Sequence, residues 1–175
     1  DSMEKNGRVI HIRTEFENDL RVMGNSAELR AVFHNVIKNS IEALPDGGDI
    51  LISSDSQERF VRITVKDNGC GMDEETKQRV FQPFFSTKGF ELGRGLGLSG
   101  AYSIVHEHGG EIRIMESRPG AGTVVEIKIP SCTETPGSSE ETVAALEMGY
   151  EALGILWVDD EAMIREVGQD MRSEE

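Results

Sequence analysis

The amino-acid sequence predicts an α+β fold in which helices cover one face of a sheet. Segments that alternate apolar and polar residues occur in neighbouring pairs, as antiparallel strands do. Between these pairs lie segments whose apolar residues recur at helical spacing. The chain has 175 residues, 37% hydrophobic and 29% charged, which is enough for one globular domain and part of another.

The first half of the chain predicts two strands, a helix and a strand pair. RVIHIRTEF (8–16) alternates as a half-buried strand should, and a shorter strand, LRVMG, follows a turn. Asn25 or Ser26 can cap the next helix. Its apolar stripe consists of Leu29, Val32, Phe33, Val36, Ile37, Ile41 and Leu44. After a PDGG turn, DILISSDS and RFVRITVKD are predicted to pair as antiparallel strands.

The second half predicts two helices, a long loop and a hairpin. DEETKQRVF is predicted to be a short helix with acidic residues in its first turn, which suits the helix dipole. QPFFSTKGFELGRG has no periodicity and predicts a loop of a length that is usually functional or disordered. A helix over 96–108 precedes a hairpin of EIRIMESR and TVVEIKIP. Residues 1–130 are thus predicted to form a domain, followed by a polar linker (131–152) and a strand and helix (153–175).

Composition and charge exclude several classes of function. A formal net charge of −14 argues against a nucleic-acid partner, because phosphate contacts require clustered lysine and arginine. The sequence contains neither a signal peptide nor an apolar run of the roughly 18 residues that cross a bilayer, which predicts no membrane contact. Cys70 and Cys132 suggest no disulfide framework. We therefore expect a cytoplasmic location, with any membrane anchor lying outside this segment.

Residues 95–100 (GLGLSG) match the dinucleotide-binding pattern G-x-G-x-x-G, and Glu116 lies where a ribose-binding acid is expected. That pattern requires a strand directly before the first glycine, and the loop-like PFFSTKGFELGR stands there instead. An NAD site is therefore disfavoured, and no Gly-Lys-Ser/Thr indicates a Walker A loop. Glycines before a helix can present backbone N–H groups to an anion, and a hinge or close-packing turn is the alternative.

Three further stretches carry residues suited to nucleotide binding. Asn35 and Asn39 share a helix face, and an amide carbonyl can ligate Mg²⁺; two solvent-facing amides are the alternative. Asp67 ends a predicted strand and precedes two glycines, so its carboxylate could accept from the amino group of a base, or Asn68-Gly69 could form a hairpin turn. FQPFFSTK combines three phenylalanines with a lysine, as either a lid or a loop anchor.

Together these stretches resemble the ATP-binding catalytic domain of sensor histidine kinases, in the superfamily that includes DNA gyrase and mismatch-repair ATPases. HNVIKNSIEALPDGG resembles the N box, DNGCGM the G1 box, FQPFFSTK the F box, GRGLGL the G2 box and PGAGTVVEIKIP the G3 segment. The resemblance covers about residues 8–130 in the family's order. It implies a two-layer α/β sandwich of the Bergerat type with a mixed sheet, and ATP and Mg²⁺ as cofactors.

The resemblance also implies residue roles. Asn39 would ligate Mg²⁺ with Asn35 beside it near the phosphates, as the two catalytic residues. Asp67 would bind the adenine amino group, with room for base and lid at Gly69 and Gly71. Thr123 would reach the adenine through its hydroxyl. The remaining predicted nucleotide-binding residues are Met72, Thr87, Lys88, Gly93, Arg94, Gly95, Leu96, Gly97 and Leu98.

Several positions depart from the family pattern or fall outside it. Arg94 replaces a common threonine and either contacts the terminal phosphate or is solvated. Glu42 stands where many relatives carry a basic residue, and Lys38 is either its substitute or a solvated lysine. Gly100 is expected to be a packing position, and Glu116 an ordinary strand residue.

ILWVDDEAMIREV resembles the first strand and helix of a response-regulator receiver domain, which implies a hybrid kinase. Asp159 and Asp160 would be its Mg²⁺-binding pair, or simply acids capping a helix. The expected reaction passes the γ-phosphoryl group of ATP to a histidine on a separate dimerisation domain, with a receiver domain or response regulator as the further partner. His11, His34, His106 and His108 match no phospho-acceptor context, so the chain should bind ATP without labelling itself.

Three alternatives remain from the sequence. Conformational-clamp ATPases carry a glutamate where this chain has Asn35, and asparagine cannot act as a general base. A catalytically silent nucleotide-sensing or docking module is the second alternative. A serine-directed kinase of the anti-sigma type is the third, disfavoured by the F box and by the receiver-like segment.

Overall fold

The computed structural model describes residues 2–5, 8–87, 95–132 and 151–154, with side chains for 8–87 and 95–132. The elements are β1 (Ser2–Lys5), β2 (Arg8–Phe16), β3 (Arg21–Gly24), α1 (Ser26–Glu42), β4 (Gly48–Gln57), β5 (Phe60–Asp67), α2 (Glu74–Arg79), α3 (Gly97–Glu107), β6 (Glu111–Ser117), β7 (Thr123–Pro130) and β8 (Glu151–Gly154). Lys88, Gly93, Arg94, Asp159 and Asp160 lie outside the described residues.

Six strands form a mixed sheet in the order β1-β2-β4-β5-β7-β6. β2 and β4 are parallel, and the other neighbours are antiparallel. A parallel pair requires a crossover, which the chain makes through β3 and α1. The expected α+β class and mixed sheet are confirmed.

Two strands differ from the sequence prediction. β1 was not predicted, because SMEK is too short to show a periodicity. β3 was predicted as a strand with no assigned partner, and it pairs with β8 in a separate two-stranded sheet and bridges Ser131 through Val22. Pairing between segments this far apart in sequence leaves no local signal.

Helix α1 supplies much of the core. Asn25 caps it as predicted, since its Oδ1 accepts hydrogen bonds from the backbone N–H groups of Ala27 (3.0 Å) and Glu28 (3.2 Å). The predicted apolar stripe is buried throughout. Ser40 is the polar residue within this buried face, and only 3% of its surface is exposed.

The hairpin β6–β7 contains a β-bulge. Ile114 faces Val125, but the next pairs are Glu116 with Val124 and Ser117 with Thr123, so Met115 is an extra residue on β6. The bulge changes which residues of β6 face the helices.

Cys70 and Cys132 are free thiols. Within the described part of the chain, no helix has the length and apolar character needed to span a bilayer.

Candidate functional site

A cavity of about 780 Å³ lies between α1, the end of β5, the start of α3 and the β6–β7 hairpin. Its volume suits a ligand of nucleotide size. Most of the residues predicted for nucleotide binding line it: Asn35, Asn39, Asp67, Gly71, Met72, Thr87, Gly95, Leu96, Gly97, Leu98 and Thr123. Residues far apart in sequence thus meet at one cavity.

Asp67 ends β5 in the cavity wall and is 4% exposed. Its Oδ1 accepts hydrogen bonds from the backbone N–H groups of Gly69 (2.9 Å) and Thr123 (3.2 Å), and its carboxylate also accepts one from the Ser40 hydroxyl. Burial raises the pKa of the Asp67 carboxyl above its ordinary value, while these hydrogen bonds act in the opposite direction. The result is a fixed, buried acceptor.

Glycines allow backbone segments to approach closely beside Asp67. A Cβ on Gly71 (φ 63°) would clash with the carbonyl oxygen of Arg118, and one on Gly122 (φ 79°) with that of Asp67. Gly120 also donates its N–H to the carbonyl oxygen of Cys70 at 2.7 Å. The β6–β7 turn therefore packs directly onto the loop after β5.

Gly69 does not line the cavity. A Cβ there would clash with the Ala43 carbonyl oxygen, and its N–H donates to Asp67. The space left at Gly69 and Gly71 is thus filled by protein backbone. The Asn68-Gly69 pair forms no hairpin turn, since β5 is followed by α2.

Asn35 and Asn39 lie one helical turn apart and both line the cavity. The Asn39 Nδ2 donates to the carbonyl oxygen of Asn35 at 2.7 Å. The Asn39 Oδ1 is the atom of this side chain that could ligate a metal ion. The described residues contain no group of three His, Cys, Asp or Glu side chains that could hold a metal. A single amide oxygen suits a cation that is held mainly by water and by a ligand's own oxygens, as Mg²⁺ commonly is.

The start of α3 borders the same cavity. Its N-cap residue, Leu96, makes no side-chain cap hydrogen bond, and Gly97 and Leu98 of the first turn line the cavity. Backbone N–H groups in the first turn of a helix can bind an anion. A Cβ on Gly97 would lie 3.2 Å from the Asn35 Oδ1, which shows how closely α3 approaches α1. Gly100 was predicted to be a packing position, and this is wrong: a Cβ there would meet nothing within 4 Å.

The three phenylalanines after α2 have three different environments. Phe81 packs against the core, and Phe85 lines the cavity with the Arg79 guanidinium 4.5 Å from its ring centroid. Phe84 is 80% exposed at φ 64°, and its N–H donates to the Gly95 carbonyl oxygen at 2.9 Å. The segment thus serves as an anchor and as part of the cavity wall.

Three of the four histidines lie at the surface or in the core. His11 and His106 are exposed, whereas the His108 side chain is 3% exposed. Its Nε2 accepts the Asn25 N–H at 3.1 Å and its Nδ1 lies 2.8 Å from the Ile104 carbonyl oxygen. His108 therefore joins α3 to the start of α1.

Sequence reasoning missed two serines beside the cavity. Ser40 could have been found in the sequence as the polar residue after Asn39 on the buried face of the helix. Ser117 could not, because the alternation of apolar and polar residues does not reveal the bulge that turns Ser117 inward. Lys38 and Glu42, whose roles were open, both line the cavity. Glu116 is exposed and faces away from it.

A mixed sheet with helices, and a cavity lined by a helix start and a buried acid, fit a nucleotide-binding domain of the histidine-kinase and gyrase class. The chain belongs to the family described as "Histidine kinase-, DNA gyrase B-, and HSP90-like ATPase", which matches residues 24–133.

Named relatives of this chain are histidine kinases. It is 43% identical to sporulation kinase A of Bacillus subtilis over 69% of this chain and 20% of that protein. It is 36% identical to the signal transduction histidine-protein kinase AtoS of Escherichia coli, over 67% of this chain and 19% of that protein. The chain thus spans about a fifth of the length of these relatives.

Solved structures that resemble this chain are also histidine kinases. The catalytic domain of the histidine kinase ThkA is 39% identical with a TM-score of 0.61, over 69% of this chain and 80% of that chain. The mycobacterial sensor histidine kinase MprB is 28% identical with a TM-score of 0.62, over 70% of this chain and 82% of that chain.

Proposed function

We propose that this chain binds Mg-ATP and donates the γ-phosphoryl group to a histidine on a separate dimerisation domain. The observation that carries the proposal is Asp67, a buried acceptor in the wall of a cavity that the start of α3 also lines. A carboxylate there can accept from the amino group of adenine, while the helix start receives phosphate. The kinase relatives support this assignment.

The other roles follow from the same cavity. Asn39 would hold Mg²⁺ through Oδ1 and Asn35 would lie near the phosphates, since both side chains line the cavity beside Gly97. The ion would neutralise phosphate charge, and positioning supplies most of the remaining catalysis in phosphoryl transfer. We also assign Met72, Thr87, Gly95, Leu96, Leu98 and Thr123 to nucleotide contact, as lining residues.

Calorimetry with ATP, GTP and NAD, each with and without Mg²⁺, tests the binding proposal. ATP should bind with preference over GTP and NAD, and a preference for NAD would overturn the proposal. Phosphoryl transfer is tested by adding the histidine-bearing domain of the same protein and following labelled phosphate. Asn39→Ala should eliminate Mg²⁺-dependent transfer, and unchanged transfer would exclude the metal role.

The segment after residue 133 is proposed to lead into a receiver domain, as part of a hybrid kinase. The sensor kinase CckA of Brucella abortus supports a shared continuation, because its 29% identity extends over 91% of this chain and so passes beyond residue 133. Phosphate transfer from the histidine domain to a longer form of this protein, abolished by removing that segment, would be the expected result.

A further inference from the structure

The bulge in β6 decides which side chain faces Thr123. On β7, Thr123 and Val125 are both buried on the cavity side, and Val125 faces Ile114. In an unbroken antiparallel ladder, the residue opposite Thr123 would be Glu116. The extra residue, Met115, shifts the register by one, so Ser117 takes that position and Glu116 faces Val124.

This shift matters for the charge of the cavity. An unbulged β6 would direct the Glu116 carboxylate toward Thr123, whose N–H is bonded to buried Asp67. A second carboxylate there would repel the first and favour protonation of one of them. The bulge instead places a neutral hydroxyl opposite Thr123, so the Glu116 carboxylate does not lie beside Asp67.

Ser117 makes three polar contacts in this position. Its Oγ accepts the Met72 N–H at 2.8 Å, lies 3.0 Å from the Thr123 Oγ1 and lies 3.3 Å from the Gly122 carbonyl oxygen. A serine hydroxyl has one proton, so it can donate to Thr123 or to Gly122 but not fully to both. The shorter contact is the one to Thr123.

We propose that Ser117 is a positioning residue for base recognition: it donates to the Thr123 Oγ1 and so directs the Thr123 proton into the cavity. There the proton meets a ring-nitrogen acceptor next to the amino group bound by Asp67, as N1 of adenine is. The opposite arrangement, with Thr123 donating to Ser117, would present only lone pairs and suit the N1–H of guanine. The inference rests on the proposed binding of ATP.

Calorimetry with ATP and with 1-deaza-ATP, which lacks the N1 acceptor, tests this role on the 175-residue chain. The wild type should bind ATP about 3- to 10-fold more tightly than 1-deaza-ATP, as expected for one hydrogen bond. Ser117→Ala should reduce that preference by weakening ATP alone, because the Thr123 hydroxyl keeps its proton but loses the donor that orients it. A merely structural role, through the Met72 N–H, would weaken both nucleotides equally and leave the ratio unchanged.

Matched variants make the result decisive. Ser117→Thr retains the hydroxyl and should restore the preference, and Thr123→Val should lose it. Ser103→Ala removes an exposed hydroxyl on α3 that donates to Ser99 at 3.2 Å, and should bind both nucleotides like the wild type.

A preserved ratio in Ser117→Ala overturns the inference, whereas failure of the wild type to bind ATP overturns the proposed function instead. If Ser117→Ala does not fold, Ser117→Cys replaces the hydroxyl with a weak donor of similar shape, and a preserved ratio there counts against the inference equally.

Discussion

Replacing Asp67 by asparagine tests two effects of its charge, one on ATP affinity and one on the stability of the folded protein. The amide keeps the shape of the side chain and removes the charge. The Asn Oδ1 can still accept from Gly69 and Thr123, but its NH2 group would face the amino group of adenine, another donor. A hydrogen bond to a charged group contributes about 1.5–3 kcal/mol. We therefore expect ATP affinity to fall about 10- to 150-fold.

The same substitution should stabilise the nucleotide-free protein. Burial raises the pKa of the Asp67 carboxyl, so the ionised carboxylate destabilises the folded state. This penalty is fully present above the raised folded pKa. It disappears as the pH falls below the ordinary carboxyl value of 3.8, because the carboxyl is then protonated in both states. The stability difference between Asp67→Asn and wild type should thus be largest at neutral pH and shrink as the solution is acidified.

Calorimetry measures the affinity, and thermal unfolding without nucleotide between pH 7.5 and pH 4 measures the stability. Asp46→Asn, an exposed aspartate in the turn before β4, is the matched control and should change neither quantity. An Asp67→Asn variant that binds ATP like the wild type would refute the adenine role. A variant less stable than wild type at neutral pH would refute the argument from burial.

Two further predictions concern glycines, and both are measured by thermal unfolding. Gly100→Ala should stabilise the protein by about 0.5–1 kcal/mol, since a Cβ there meets open space within a helix; a loss of stability would restore the packing role. Gly71→Ala should destabilise by more than about 1 kcal/mol and weaken ATP binding, because φ is positive and the Cβ would clash with the Arg118 carbonyl oxygen. If Gly71→Ala melts and binds ATP like the wild type, the close contact between the β6–β7 hairpin and the loop after β5 is not required for stability or for binding.

Elements with a long apolar periodicity were predictable from the sequence. The predicted stripe of α1 is buried, and the strand pair β4–β5 and the hairpin β6–β7 lie where alternation placed them. The cavity residues were predictable through the family motifs rather than through periodicity, since glycines and amides carry no such pattern.

Features that depend on contacts between distant segments were not predictable. The pairing of β3 with β8 joins residues more than a hundred positions apart. The bulge at Met115 arises from register against β7, and it places Ser117 rather than Glu116 opposite Thr123. Alternation in β6 alone gives the wrong face for both side chains.

Helix α1 reaches both ends of the cavity from consecutive turns. Asn35 lies against Gly97 at the start of α3, and Ser40 donates to Asp67 at the far wall. Ser40 lies five positions after Asn35, which is about 7.5 Å along the helix axis. In the proposed binding mode, α1 would therefore fix the distance between the phosphate end and the base end of the nucleotide. A volume change at a buried residue such as Val36 would rotate α1 slightly and displace both Asn35 and Ser40. A substitution in the core would therefore change the nucleotide affinity.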